Sequence, residues 1–112
     1  MSILESKTVA TFNKRTIQNF IDIIILKHLK NNPLTSGYEV MGHFHKKFDI
    51  ILSAGTIYHA LYSLERKNLI EGNMDQGKRT YKLTKQGEKL LDNIYTTKDQ
   101  IQEVVSAVFS EA

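Results

Sequence analysis

Gly55, His59, Tyr62 and Arg66 follow one another at four-, three- and four-residue steps. On a helix that spacing gathers a small residue, an imidazole, a phenol and a guanidinium on one face. Such a face suits a nucleic acid. Arg66 and His59 can donate to guanine acceptors or to phosphate, and Tyr62 can reach a phosphate or pack on a thymine methyl. Thr56 and Tyr58 flank the stripe, although Tyr58 is equally placed to lie half-buried between helices. Ser53 and the free N–H groups of the helix start behind it offer donors for a phosphate. A second group follows: Lys78, Arg79 and Lys82, with Lys85 and Lys89, against only Asp75 and Glu88. These cations are candidates for backbone phosphate; the plainer alternative is a solvated strand edge, which often carries lysine. Lys14, Arg15, Lys46 and Lys47 are weaker candidates, because helix ends carry such residues for the dipole.

Other chemistries find no footing. The chain of 112 residues has no cysteine, which removes disulfides, thiolate zinc sites and cysteine nucleophiles together. His43 and His45 are two apart and point in different directions on a helix, and no His-x-x-x-His pair occurs. No metal site is therefore assigned. Ser36-Gly37 and Ser53-Ala54-Gly55 lack the frame of a nucleophile elbow, and no glycine pattern matches a phosphate loop. We expect no enzyme, no catalytic residue and no cofactor.

Charge is divided along the chain. Fifteen basic side chains face twelve acidic ones, a net +3. Residues 1–89 hold fourteen basic and eight acidic groups, whereas residues 90–112 hold one and four. The length fits one domain. The densest apolar stretch, Phe20 to Leu29, is interrupted by Asp22, Lys27 and His28 and is too short to span a bilayer. The start of the chain lacks a signal-peptide pattern. The expectation is a cytoplasmic protein without a membrane segment.

The elements that position the candidate groups follow from periodicity. Residues 1–12 show no clear period and are expected as an arm or short leading helix. From about Asn13 to Asn31, Ile17, Phe20, Ile21, Ile24 and Leu29 mark one helical face. Asn31-Asn32-Pro33 ends it, with asparagine suited to a left-handed cap. Ser36-Gly37-Tyr38-Glu39 has capping-box spacing and starts a second helix. Ser53 caps a third, running to about Asn68, whose inward side is Ile57, Ala60, Leu61 and Leu64. Leu69–Asn73 and Arg79–Leu83 alternate as strands around a turn, with Asp75 and Gly77 as its bend positions. A last helix starts at Thr84 and runs nearly to the end. Its apolar stripe comprises Leu91, Ile94, Ile101, Val104, Val105, Val108 and Phe109. About 26 helical residues at 1.5 Å each reach about 40 Å, further than one small domain can cover. A second copy of the chain is the simplest partner for that stripe.

Helix, helix, helix, hairpin, long helix is the winged helix-turn-helix order, mainly α with a small β-hairpin. The residues within it resemble the PadR family of transcriptional regulators. The resemblance is carried by Pro33-Leu34-Thr35-Ser36-Gly37-Tyr38-Glu39-Val40, Gly55-Thr56-Ile57-Tyr58-His59-Ala60-Leu61, Leu64-Glu65 and Arg79-Thr80-Tyr81-Lys82-Leu83-Thr84-Lys85-Gln86-Gly87. It covers roughly residues 20–92. The chain departs from the family pattern at Ser36 (usually histidine), His59 (usually proline) and Asn68 (usually glycine), and its hairpin tip is short. The resemblance implies a prokaryotic homodimeric repressor on a palindromic operator, dimerised by its C-terminal helix. The acidic single last helix is similar to the family's smaller branch. Some of its members bind flat aromatic drugs through a tryptophan of that helix; this chain has no tryptophan, so that pocket is not carried over.

The expectation is therefore three parts: residues 1–12 as the leading segment, 13–83 as the winged helix, and 84–112 as the dimerisation helix. Its partners are double-stranded DNA and a second copy, with any small-molecule effector unspecified. The alternatives are a winged-helix module docking an acidic protein, or a non-specific architectural DNA binder.

Overall fold

The computed structural model describes residues 1–111. Nine elements follow in order: α1 (Ile3–Asn19), α2 (Ile21–Asn31), β1 (Thr35–Ser36), α3 (Gly37–Phe48), α4 (Ala54–Arg66), β2 (Ile70–Asp75), β3 (Lys78–Leu83), α5 (Lys85–Thr96) and α6 (Lys98–Val108). The core lies where α2, α3, α4, α5 and the sheet meet. Ile25 and Leu29 of α2, Phe44 of α3, Ile57 and Leu61 of α4, and Ile70 of β2 are all fully enclosed. Their spacing gives each helix one apolar stripe, and burying those stripes against one another supplies the driving force for the body. No described helix is long and apolar enough to cross a membrane.

Capping chemistry sets most helix starts. Ser36 and Glu39 form the expected capping box on α3, and Ser53 Oγ accepts from Thr56 N at 3.1 Å on α4. Thr84 caps α5 by accepting from Gly87 N at 3.0 Å. A further capping box, Ser2 with Glu5, starts a helix in the segment that lacks apolar periodicity. That helix, α1, continues to Asn19 and so takes in the first residues expected in the next one. The break is at Phe20, whose φ of −113° and ψ of 23° leave the helical region. Its N–H is shared between Thr16 O and Ile17 O, and α2 starts at Ile21.

α2 ends at Asn31 as expected, but by a different device. Asn32 is extended rather than left-handed, and its side-chain amide turns back to His28 O at 3.1 Å. The positive φ falls at Leu34 instead. The hairpin turn also differs from expectation. Asp75 is the last paired residue of β2, opposite Lys78, and the bend is Gln76-Gly77, both at positive φ. Two left-handed residues match the right-handed twist of the flanking strands. The sheet has a third, two-residue strand: β1 pairs with β3, Thr35 with Tyr81 and Ser36 with Thr80. Because β3 is central, Thr80 and Tyr81 are both buried.

The expected single last helix is bent into two. At Thr97 (φ −103°, ψ 9°) α5 gives way to α6. Thr96 and Thr97 donate their hydroxyls back to Asp92 O and Asn93 O, each at 2.8 Å, a bonding that bends helices. Main-chain bonds continue through the bend, Ile101 N to Thr97 O at 3.1 Å. Neither α1 nor α6 has a buried residue. The radius of gyration is 15.9 Å, against about 13 Å for a compact chain of this length. The difference is these two helices, which stand off the body.

Candidate nucleic-acid interface

α4 turns Ile57, Leu61 and Leu64 inward, with Ala60 half-buried beside them. Its opposite side carries Gly55, Thr56, His59, Tyr62 and Arg66, all exposed; Tyr62 is 62% open to solvent. The Arg66 guanidinium sits 5.9 Å from the centre of the Tyr62 ring, close enough for a cation–π contact. Ser53, also exposed, begins the same face. Tyr58 resolves the ambiguity in its spacing. Its ring lies on the backbone of Gly37, where any Cβ would come within 2.6 Å of it, so it ties α4 to the start of α3 while remaining 46% exposed.

Two depressions run along α4. One, of about 620 Å³, is lined by Ser53, Gly55, Thr56, His59 and Lys67 together with Gln18, Asn19 and Asp22 from the α1–α2 corner. The other, of about 540 Å³, is lined by Tyr58, Tyr62, Glu65 and Arg66 of α4 and by Arg79 and Tyr81 of β3. The polar side of α4 is thus a ridge between two hollows. The contribution of Gln18 and Asn19 has no sequence signal, because they end a helix whose boundary no proline or glycine marks.

The three hairpin cations are all engaged. Lys78 Nζ lies 3.3 Å from Glu39 Oε1, Arg79 Nη2 donates to Glu65 Oε2 at 2.6 Å, and Lys82 Nζ is 3.7 Å from Glu71 Oε2. Their carboxylates come from α3, α4 and β2. Glu39 also accepts from Ser36 Oγ at 2.9 Å and Ser36 N at 3.3 Å. These bonds, with Lys78, hold its carboxyl below the ordinary 4.5. By contrast Arg66, Lys67, Lys85 and Lys89 have no carboxylate within ion-pair reach among the described residues. Burial raises the Tyr81 phenol above its ordinary value, so it stays neutral.

Two histidines meet outside this face. The rings of His28 (α2) and His43 (α3) stack with centroids 4.1 Å apart and planes 32° from parallel. Burial lowers both below the ordinary 6.5. Among the described residues no cluster of three or more His, Asp or Glu is arranged to hold a metal ion.

The tail stripe is divided by the bend. Leu91 is 0% exposed inside its own domain and has no surface left for a second copy, and Ile94 is half-buried. Ile101, Val104, Val105 and Val108 on α6, and Phe109 just after it, remain exposed. Phe109 meets Phe12 of α1 edge to face at 6.1 Å, and α1 adds exposed Ile3, Leu4 and Val9.

Residues 25–93 match the model of the transcriptional regulator PadR-like family. No curated protein matches the chain in sequence. Among solved structures, a PadR family transcription regulator from a hypervirulent Clostridium difficile strain is 28% identical. The match covers 81% of this chain and 99% of that one, with a TM-score of 0.68. A PadR family regulator from Eggerthella lenta matches 99% of this chain and 100% of its own at a TM-score of 0.77 and 16% identity, a likeness of fold. Bacillus subtilis PadR, solved in complex with operator DNA, is 25% identical over 65% of this chain and 45% of its own, with a TM-score of 0.58. With the family's sequence pattern spanning more than half its length, on a winged-helix frame shared with the solved members, the chain belongs to the PadR-like family of transcriptional regulators.

Proposed function

We propose that the protein binds double-stranded DNA and represses transcription by occupying a two-fold operator as a homodimer. The observation that carries this reading is the polar ridge of α4, exposed along Gly55, Thr56, His59, Tyr62 and Arg66 and without an ion pair there among the described residues, beside a basic hairpin. The complex of Bacillus subtilis PadR with operator DNA supports it. In this reading His59 and Arg66 donate to base edges, and Tyr62 packs on a methyl or reaches a phosphate. Gly55 and Thr56 allow close approach, and Ser53 with the α4 N-terminus holds a phosphate. Lys78 and Lys82 meet backbone phosphate after exchanging Glu39 and Glu71 for it. Tyr58 positions α4 against α3. The second copy docks through Ile101, Val104, Val105, Val108 and Phe109 with α1 beside them, setting two reading helices about 34 Å apart.

Titration of labelled random DNA and of DNA selected from a random pool, each at two salt concentrations, tests the proposal. The expected result is a preference of about a thousandfold or more for selected DNA, with affinity falling steeply as salt rises. Equal affinity for both pools marks an architectural binder, and binding to neither marks a module for an acidic protein. His59→Ala or Arg66→Ala should cost about 1–3 kcal/mol on selected DNA and less on random DNA. A uniform loss on both would remove base reading from these two residues.

A further inference from the structure

Arg79 is held by more than its ion pair. In the sheet register Gly72 stands opposite Tyr81, and Met74 opposite Arg79. Gly72, Tyr81 and Arg79 therefore share one face, the one turned to α4. The guanidinium lies across Gly72: a Cβ there would come within 2.7 Å of Arg79 Nε and 2.9 Å of Cζ. It also sits 5.8 Å from the centre of the Tyr81 ring, and its far end donates to Glu65 Oε2 at 2.6 Å. The side chain thus spans the cleft that separates α4 from the wing, with a seat on β2, a wall on β3 and an anchor on α4. A cation waiting for phosphate needs none of these. Glu65 follows the inward Leu64 on α4 and is 32% exposed, so its carboxylate is carried by a part of the helix that the core fixes.

We infer that Glu65 and Gly72 are positioning residues that act through Arg79, bracing the wing against the reading helix and thereby setting DNA specificity. The brace fixes the distance between the groove contacts of α4 and the phosphate contacts of the wing. Only DNA presenting both at that distance is bound fully. Its consequence for specificity rests on the DNA-binding reading above; its geometry does not.

The Gly72→Ala variant is the sharpest test, because it removes the seat and leaves every charge in place. Gly72→Ala and Glu65→Gln should each lower the ratio of selected to random DNA affinity by about tenfold. The slope of affinity against salt should be unchanged in Gly72→Ala. The double variant should lose no more than either single one, since both break the same brace. If Arg79 is instead a direct phosphate contact, Arg79→Gln lowers the salt slope by about one and weakens both DNAs alike. Gly72→Ala and Glu65→Gln then leave the ratio intact, and the inference falls. Amide hydrogen exchange of the free protein separates this question from DNA binding itself. The hairpin amides from Met74 to Arg79 should exchange faster in Gly72→Ala and Glu65→Gln, whereas unchanged exchange in both overturns the brace even if no DNA is bound.

Discussion

His28 and His43 show how neighbours alter a side chain's chemistry. Each imidazole is partly withdrawn from water where α2 meets α3, and each faces the other across that seam. Lys27 on α2 and Lys47 on α3 add positive charge, while Glu39 is the acidic group that favours the charged form of His28. Both imidazoles titrate below 6.5 in the folded chain, so the unfolded chain binds more protons and stability falls with falling pH. The loss begins as pH drops through 6.5 and is complete below the folded values. Glu39, lowered from 4.5, adds a loss of the same sign at more acid pH. Thermal melting between pH 7.5 and 5 should show a falling Tm, and His43→Asn should flatten it. A Tm independent of pH in that range would contradict the assignment. The stripe on α4 was legible at this scale because helical spacing alone sorts faces. The partners of Lys78, Arg79 and Lys82 were not, since Glu39 lies 39 positions from Lys78 and only the folded sheet brings them together.

Elements were legible where their ends carry side-chain chemistry. The capping box at Ser36–Glu39 and the caps at Ser53 and Thr84 announce α3, α4 and α5 in hydroxyls and carboxylates. The breaks at Phe20 and Thr97 carry no proline or glycine, so a continuous helix was the natural expectation at both. Backward-bonding threonines precede or occupy both breaks, but Thr8 and Thr11 bond the same way inside unbroken α1, so residue type and spacing do not encode where the helices end. The two-residue β1 is too short for any alternating pattern. Gly87 marks another contact between elements. It sits in the first turn of α5, where a Cβ would overlap the Leu69 carbonyl oxygen and approach Leu83 Cδ1 to 2.7 Å. That oxygen already accepts from Thr84 N at 3.1 Å, so it has nowhere to move. Helix propensity alone favours alanine over glycine by about 1 kcal/mol. We expect Gly87→Ala to destabilise by about 1–3 kcal/mol instead, because the substitution pushes α5 off the α4–β2 corner. Denaturant unfolding decides the sign.

The molecule as a whole is longer than its core requires, 51 Å by 31 Å by 21 Å. The charge division of the sequence has a shape here: the basic hairpin lies on the body, and the acidic residues of the tail run from Asp92 on α5 through Asp99 and Glu103 on α6. Replacing both Ile101 and Val105 with glutamate should yield monomers while the winged helix stays folded, because α6 has no residue in the core. An unchanged mass by light scattering would remove α6 from the dimer contact. The touch of Phe12 on Phe109 gives this arrangement a mechanical consequence. α1 meets the tail near its middle, and its last turn borders the hollow beside Ser53 and His59. A straight rod of seventeen residues is about 25 Å long. In a dimer seamed at α6, the arm from Phe12 to Asn19 is about 10 Å long, so a tilt of about ten degrees moves the last turn of α1 by about 2 Å. In such a dimer α1 is an arm from the tail to the border of that hollow, so a shift where two copies meet would be felt beside Ser53 and His59.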